Sequence, residues 1–339
     1  MRAALLLALA AAPAFAADVP KPGPTRADEP LARAYSAAKA AEYLDGVGVN
    51  WTRDHKCVTC HTNMPYLTAR PLLPGENEWQ EVRTFLEKDV TSWSNGGKPR
   101  GDTYVVATAF ALAFNDAQQT GKLHPTTRAA LDTMLDVQRK TGDWAWLKCD
   151  WPPLEHDDYY GAALAALAVG YAPEGYAKTE KARAGVERLK GYFRKTPAPD
   201  LHHAAVLLWA STKLDGLMTA DEQKAAVAAL RGIQHKGGGW ALAALGKYAR
   251  HDETPNDPAA AGDGYGTGFV TFVLLRAGVP AADPAVAKGL AWIKANQRAS
   301  GRWFTRSLSN DKAHYIANAG TAFCVLALAE AEGGEKPTR

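Results

Sequence analysis

Long hydrophobic runs are scarce in this 339-residue chain. Beyond its first residues no apolar stretch reaches the length of a membrane-spanning helix, which argues against a transmembrane anchor. An excess of one charge is also missing: 39 Lys and Arg are interspersed with 36 Asp and Glu. That balance gives neither a nucleic-acid surface nor a polybasic membrane patch. Strand-like alternation is nearly absent, so the chain reads as all-α. Cysteine is limited to four residues. Cys149 and Cys324 could pair in an oxidising compartment, but spacing alone does not establish a disulfide. Aromatic residues, by contrast, are plentiful, with ten Trp and twelve Tyr that recur at regular places.

The chain begins Met1-Arg2, continues as an apolar run from Ala3 to Ala12 and reaches Ala14-Phe15-Ala16. One basic residue, a short apolar core and an A-x-A site describe a cleavable signal peptide over 1–16. The mature protein is therefore expected to be periplasmic or secreted. Residues 17–34 read as a flexible linker, 35–332 as one folded domain and 333–339 as a disordered tail.

Residues 57–61 read Cys57-Val58-Thr59-Cys60-His61. Cys-x-x-Cys-His is an attachment signature for c-type haem, in which both thiols form thioethers and the adjacent imidazole ligates iron. Zinc and thiol-redox motifs overlap with a bare Cys-x-x-Cys, and an export signal removes most of that competition. The expectation is one covalent haem c per chain, bound by Cys57 and Cys60 with His61 as proximal ligand.

Three segments share a seven-residue pattern: Gln138 to Gly142 to Trp144, Gln234 to Gly238 to Trp240, and Gln297 to Gly301 to Trp303. Met134, Leu230 and Ile293 stand four residues before each Gln, on the same helical face. Each Gly is expected to end its helix in a left-handed conformation, and each Trp to fold back over the helix end. Repetition at this level indicates an array. Between the markers, amphipathic charged segments at about 36–45, 77–91, 125–139, 177–194, 220–234 and 284–297 alternate with bland Ala- and Leu-rich ones at about 62–72, 102–118, 157–171, 201–214, 264–277 and 314–331. One-sided helices belong on a surface and uniformly apolar ones inside. Six of each predict an (α/α)6 toroid.

The repeated Gln, Gly-x-Trp pattern resembles the QW motif of the prenyltransferase and squalene-cyclase repeat family, over roughly residues 35–331. The resemblance implies an α/α toroid with a central cavity of the kind used for isoprenoid or other apolar ligands. Glu155-His156-Asp157-Asp158 is also similar to the Asp-x-Asp-Asp motif of squalene-type cyclases. By that resemblance Asp157 takes the position of the proton-donating acid, with Glu155 and Asp158 beside it. The first position is Glu rather than Asp, and the chain has room for one domain rather than two.

In such a ring the N-termini of the inner helices gather at one mouth. The polar residues there are Asp102, Thr103 and Tyr104; Glu155 to Tyr160; Asp200, His202 and His203; Asp263, Tyr265 and Thr267; and Asp311, His314, Tyr315 and Asn318. Capping accounts for isolated Asp residues at such positions. The cluster Glu155, His156, Asp157, Asp158 and Tyr159 is more than one cap needs, and neighbouring carboxylates raise one another's pKa. These five are the candidate catalytic residues. A sixth iron ligand is expected from His314, then His156, His202 or His203. Met64 lies too close to His61 in sequence to reach the opposite porphyrin face. A dedicated zinc site is not expected, because the only cysteine pair is used by haem. The functions in competition are redox chemistry on an apolar, isoprenoid-like ligand, electron transfer to a redox partner protein with the toroid as scaffold, and acid-catalysed cyclisation.

Overall fold

The computed structural model describes residues 18–76 and 78–333. The expected signal peptide and the tail beyond 333 lie outside the described residues. Among the described residues twelve α-helices run in two alternating sets. The odd-numbered set is α1 (Ala37–His55), α3 (Trp79–Ser94), α5 (Pro125–Asp136), α7 (Glu180–Lys195), α9 (Ala220–Gly232) and α11 (Pro284–Ala295). The even-numbered set is α2 (Asn63–Ala69), α4 (Asp102–Gln119), α6 (Asp158–Tyr171), α8 (Leu201–Ser211), α10 (Gly264–Arg276) and α12 (Ile316–Ala331). Among the described residues the only β-pairings are two isolated bridges, and no helix is long and apolar enough to cross a membrane.

Burial follows the composition of each set. In α7 only Ala182, Gly185, Val186, Leu189 and Phe193 are buried, a single stripe at helical spacing. In α6 every residue from Tyr159 to Val169 is buried. The even helices touch in the order α2, α4, α6, α8, α10, α12, and α12 returns to α2. The expected toroid of six outer and six inner helices is therefore what the chain forms. Helices α10 and α12 approach so closely that a Cβ on Gly268 would lie 2.5 Å from the Cys324 backbone nitrogen.

The ring is tied by one repeated scheme. The indole N–H of Trp144, Trp240 and Trp303 donates to the carbonyl of Met134, Leu230 and Ile293, respectively, at 2.7–2.8 Å. The amide of each preceding Gln donates across its own turn, to Gly142, Gly238 and Gly301. The same amide also donates to the next outer helix: Gln138 to Gly185, Gln234 to Ala285 and Gln297 to Ser36. Gln297 accepts from the Ser36 N–H as well, at 2.7 Å, and so joins the last repeat to the first. The helices end two residues before each Gln, at Asp136, Gly232 and Ala295. The Gly is thus the residue of the following turn rather than the helix stop. Gly301 holds φ +94°, and a Cβ there would sit 1.9 Å from the Lys39 carbonyl oxygen, so only Gly permits the contact.

Three expectations are corrected. Helix α1 runs on to His55 instead of stopping near residue 45. Its glycines are sites of close approach rather than breaks: a Cβ on Gly48 would meet the Tyr66 ring at 2.5 Å. Residues 18–34, expected as a flexible linker, lie as a strap against the last repeat. Arg302 donates to Gly23 and Thr25, Arg298 to the Glu29 carbonyl, and the Ala32 N–H to Gln297. Toward the C-terminal halves of the inner helices the ring centre is filled rather than open. Trp209 on α8 packs against Phe110, Phe114, Tyr171, Phe272 and Phe323, with centroids 5.0–6.3 Å apart.

Removing the tie should weaken the whole ring. Trp240→Ala is expected to lose about 3–5 kcal/mol, and Gln297→Ala about 1–3 kcal/mol through unpaired buried backbone groups. Urea unfolding followed by circular dichroism checks both, with an exposed-face substitution such as Lys224→Ala as the neutral control.

Candidate functional site at the ring mouth

Side-chain caps mark where the inner helices begin. Asp157 accepts from the Tyr159 and Tyr160 N–H groups, Asp200 from His203 and Asp263 from Gly266. Each carboxylate satisfies donors that the helix leaves open and faces the positive end of its dipole. Asp102 lies inside α4 and instead accepts from Ala145 in the next repeat, at 2.9 Å.

His203 joins two of these caps. Its Nδ1 lies 2.6 Å from Asp200 and its Nε2 2.8 Å from Asp157. Burial works against the charged ring, but the two carboxylates override it and raise its pKa to about 9. Burial also opposes charge on the carboxyls, and the hydrogen bonds and charge of His203 more than offset it. Asp200 falls to about 2 and Asp157 is lowered. Tyr248 also donates to Asp200. The caps and this clamp form one wall of a cleft of about 820 Å³, lined by His156, Asp157, Asp200, Leu201, Tyr248 and Asn256 among others.

The Cys-x-x-Cys-His loop sits at the same mouth. Asn63, fully buried, brackets it: Nδ2 donates to the Cys57 carbonyl and Oδ1 accepts from the Thr59 N–H, both at 2.7 Å. The imidazole of His61 stacks on Tyr315 at 5.1 Å and meets the edge of Trp51 at 4.9 Å. Trp151 also packs against Tyr315, at 6.2 Å. Burial, helped by His55, pushes His61 down to about 3, so the ring is neutral. Its Nδ1 lies 2.6 Å from Thr62 Oγ1, which leaves Nε2 as the nitrogen available to a ligand. Cys57 and Cys60 are both unpaired. Two free thiols three residues apart beside a neutral imidazole with an engaged Nδ1 are a donor set that fits haem c.

Glu155 connects the two halves of the mouth. Burial raises its pKa, against the opposing effect of the Cys60 backbone N–H. Burial, with the Glu155 charge beside it, raises the Cys60 thiol in turn. Two residues farther along, Asp157 is in the cleft wall.

The five proposed catalytic residues therefore separate. Glu155 lies against the Cys-x-x-Cys-His motif. His156 and Asp157 line the cleft, and His156 Nδ1 is buried without a partner. Asp158 points elsewhere: it pairs with Arg139 at 2.8 Å and accepts from the Trp146 N–H, pinning the preceding loop. Tyr159 is core, packed on Phe193, Tyr192 and His203. The expectation that the carboxyls raise one another fails at Asp157, because the cation of His203 lies between it and Asp200.

His314 packs on Phe304 and its Nδ1 accepts from the Ser307 N–H at 3.3 Å. The ring against His61 belongs to the next residue, Tyr315. His202 is held by Tyr265 at 2.9 Å. Asp200, His202 and His203 each offer a ligand atom within 4.8 Å of the others, but both nitrogens of His203 already face carboxylates, so the group reads as a proton-bridged clamp. Cys149 is exposed, and the buried Cys324 donates to the Gly264 carbonyl, so the two do not pair. Sequence reasoning missed Tyr248, Trp151, Thr62 and Asn63. Asn63 carried a faint signal, two residues after the motif histidine at a helix start.

Comparison with known proteins reports fold alone. No protein-family model matches the chain, and no curated protein matches it. A glycosidase structure aligns at TM-score 0.54 and 12% identity, over 87% of this chain and 98% of its own. A possible GH105-family member from Salmonella enterica aligns at 0.53 and 11%, over 87% and 92%. A type II terpene cyclase from Scytonema aligns at 0.46 and 15%, over 79% and 86%. The chain shares the α/α toroid architecture of the first two structures.

The clamp makes stability depend on pH. The folded pKa of His203, about 9, lies above its ordinary value of 6.5. Its contribution is fully present below pH 6.5 and is lost as pH rises through 9. Asp200, depressed to about 2 from 3.8, contributes above pH 3.8 and loses its contribution as pH falls through 2. Wild type should therefore be most stable relative to His203→Gln between about pH 4 and 6.5. The gap should close by pH 9.5, as read from urea midpoints across the series.

Proposed function

We propose that this protein is an exported c-type haem protein that performs redox chemistry on a small molecule bound at the mouth of an α/α toroid. The observation that carries the reading is the run Glu155-His156-Asp157, which starts against the Cys60 thiol and ends in the wall of the cleft. The motif proposed to hold the cofactor and the cleft are thus bridged by residues two apart. Cys57 and Cys60 would hold the haem and His61 would ligate its iron, where the group supplies one-electron redox chemistry.

The remaining roles fall to the chain's own side chains. Glu155, raised by burial, is the group suited to hold and release a proton beside the motif. Asp157 and Asp200, kept ionised by His203, fix the charge of the cleft instead of donating protons. His156 and Tyr248, in edge contact at 5.4 Å, are placed to orient a polar group of the ligand. Leu201, Leu245 and Pro258 supply apolar wall, which suits a largely apolar molecule with a polar head. Export rests on the signal-peptide pattern of residues 1–16.

Electron transfer to a partner protein is the second reading. It is favoured by Tyr315, which stacks on His61 yet is 41% exposed, so the motif lies close to the surface. Acid-catalysed cyclisation is supported least: Asp157 is held ionised, and the ring centre is occupied by Trp209 and its neighbours.

Protein matured with a cytochrome c assembly system should keep its haem through acid–acetone extraction, and Cys57→Ala with Cys60→Ala should lose it. An apoprotein mass for wild type recovered from such cells would end the reading. In loaded protein, Glu155→Gln should abolish the alkaline limb of turnover assigned to this group while leaving haem content and helical circular dichroism unchanged.

A further inference from the structure

The motif histidine is connected to the far end of the chain by a file of side-chain hydrogen bonds. Asn318 on α12 donates from Nδ2 to Thr62 Oγ1 at 3.0 Å. Tyr43 on α1 donates its hydroxyl hydrogen to Asn318 Oδ1 at 2.5 Å. Thr62 lies 2.6 Å from His61 Nδ1. Thr62 is 1% exposed, Tyr43 2% and Asn318 6%, so solvent does not compete for these contacts. Residues 43, 62 and 318 come from three helices or their caps and meet only because the ring closes.

We infer that Thr62, oriented by Asn318 and Tyr43, is a positioning residue that engages Nδ1 of His61 and leaves Nε2 as the nitrogen available to a metal. This rests on the haem reading for its purpose but not for its geometry. The argument is one of hydrogen-bond capacity. Tyr43 donates to the amide oxygen, so the Asn318 NH₂ must face Thr62. A hydroxyl has one hydrogen and two lone pairs, and the Asn318 N–H takes one lone pair. The other contact, to Nδ1, then has two forms. Thr62 can donate its hydrogen to a bare Nδ1, which places the ring proton on Nε2. Alternatively, Nδ1–H can donate to the second lone pair of Thr62, which frees Nε2 to act as a ligand. The hydroxyl rotates to serve either form, and both keep the ring neutral. Ligation at Nε2 requires the second form. The Nδ1–H bond then makes the imidazole a stronger electron donor and favours the oxidised metal.

The test uses Thr62→Val, which keeps the shape and loses the hydroxyl, with Thr62→Ser as the conservative rescue. In haem-loaded protein, Thr62→Val should shift the midpoint potential to a more positive value, and Thr62→Ser should return it to that of wild type. Asn318→Leu should shift it in the same direction by a smaller amount. In protein expressed without haem assembly, ¹⁵N chemical shifts of His61 should report a hydrogen-bonded Nδ1 in wild type and the loss of that signature in Thr62→Val. Equal potentials in all four proteins would overturn the inference, as would an unchanged His61 ¹⁵N signature in Thr62→Val. Absence of covalent haem from wild type would overturn the functional reading alone, because the ¹⁵N comparison still decides the role of Thr62. Should Thr62→Val fail to fold, Tyr43→Phe, which releases the orientation of the Asn318 amide, is read by the same two measurements.

Discussion

The Gln amide that bonds across its own turn and into the next outer helix is the interaction on which the molecule depends. Each copy joins consecutive repeats through backbone atoms, and the third joins the last repeat to Ser36 at the start of α1. The Trp that follows places its indole over the same helix end, bonded to a carbonyl the helix leaves open. A contact made to backbone is insensitive to the side chains around it, so the outer helices can vary freely while the ring keeps its closure. Where Gly301 meets the Lys39 carbonyl, no other residue would leave room.

Closure also determines where chemistry sits. Inner helices that all run one way bring their N-termini, and the positive ends of their dipoles, to a single mouth. Asp157, Asp200 and Asp263 answer that field as caps. A capping carboxylate is held in place by its helix, and His203 exploits this by bridging two of them. The result is a rigid, charged wall in which a cation is stable even though it is nearly inaccessible to solvent. Beside it the motif loop is held by Asn63 and its histidine is boxed by Trp51 and Tyr315. Glu155, like the buried Asp263, has no cationic partner in this clamp, so burial raises it while Asp157 moves the other way.

Much of the fold was legible because its signals are local. Apolar periodicity separates outer helices from inner ones, and the Gln, Gly and Trp markers lie within seven residues of one another. Local reasoning went astray where a residue answers to something distant in the chain. The glycines of α1 resemble breakers until Tyr66 is seen against Gly48. The strap of residues 18–34 has the composition of a linker, yet Arg298 and Arg302 hold it from the other end of the molecule. Asp158 and Asp157 are adjacent and chemically identical. One turns toward Arg139 and the other toward His203, because Asp158 opens the helix while Asp157 caps it from extended backbone.

The sequence by itself determined the class of fold, the count of helices among the described residues and the mouth as the place where polar residues converge, since each follows from spacing. Tertiary structure alone decided which acid is kept ionised and which ring lies against His61. It also decided that the ring centre is filled with aromatic side chains and that residues 43, 62 and 318 form one hydrogen-bonded file. These outcomes depend on distances between repeats, and those distances exist only once the last Gln has met the first helix.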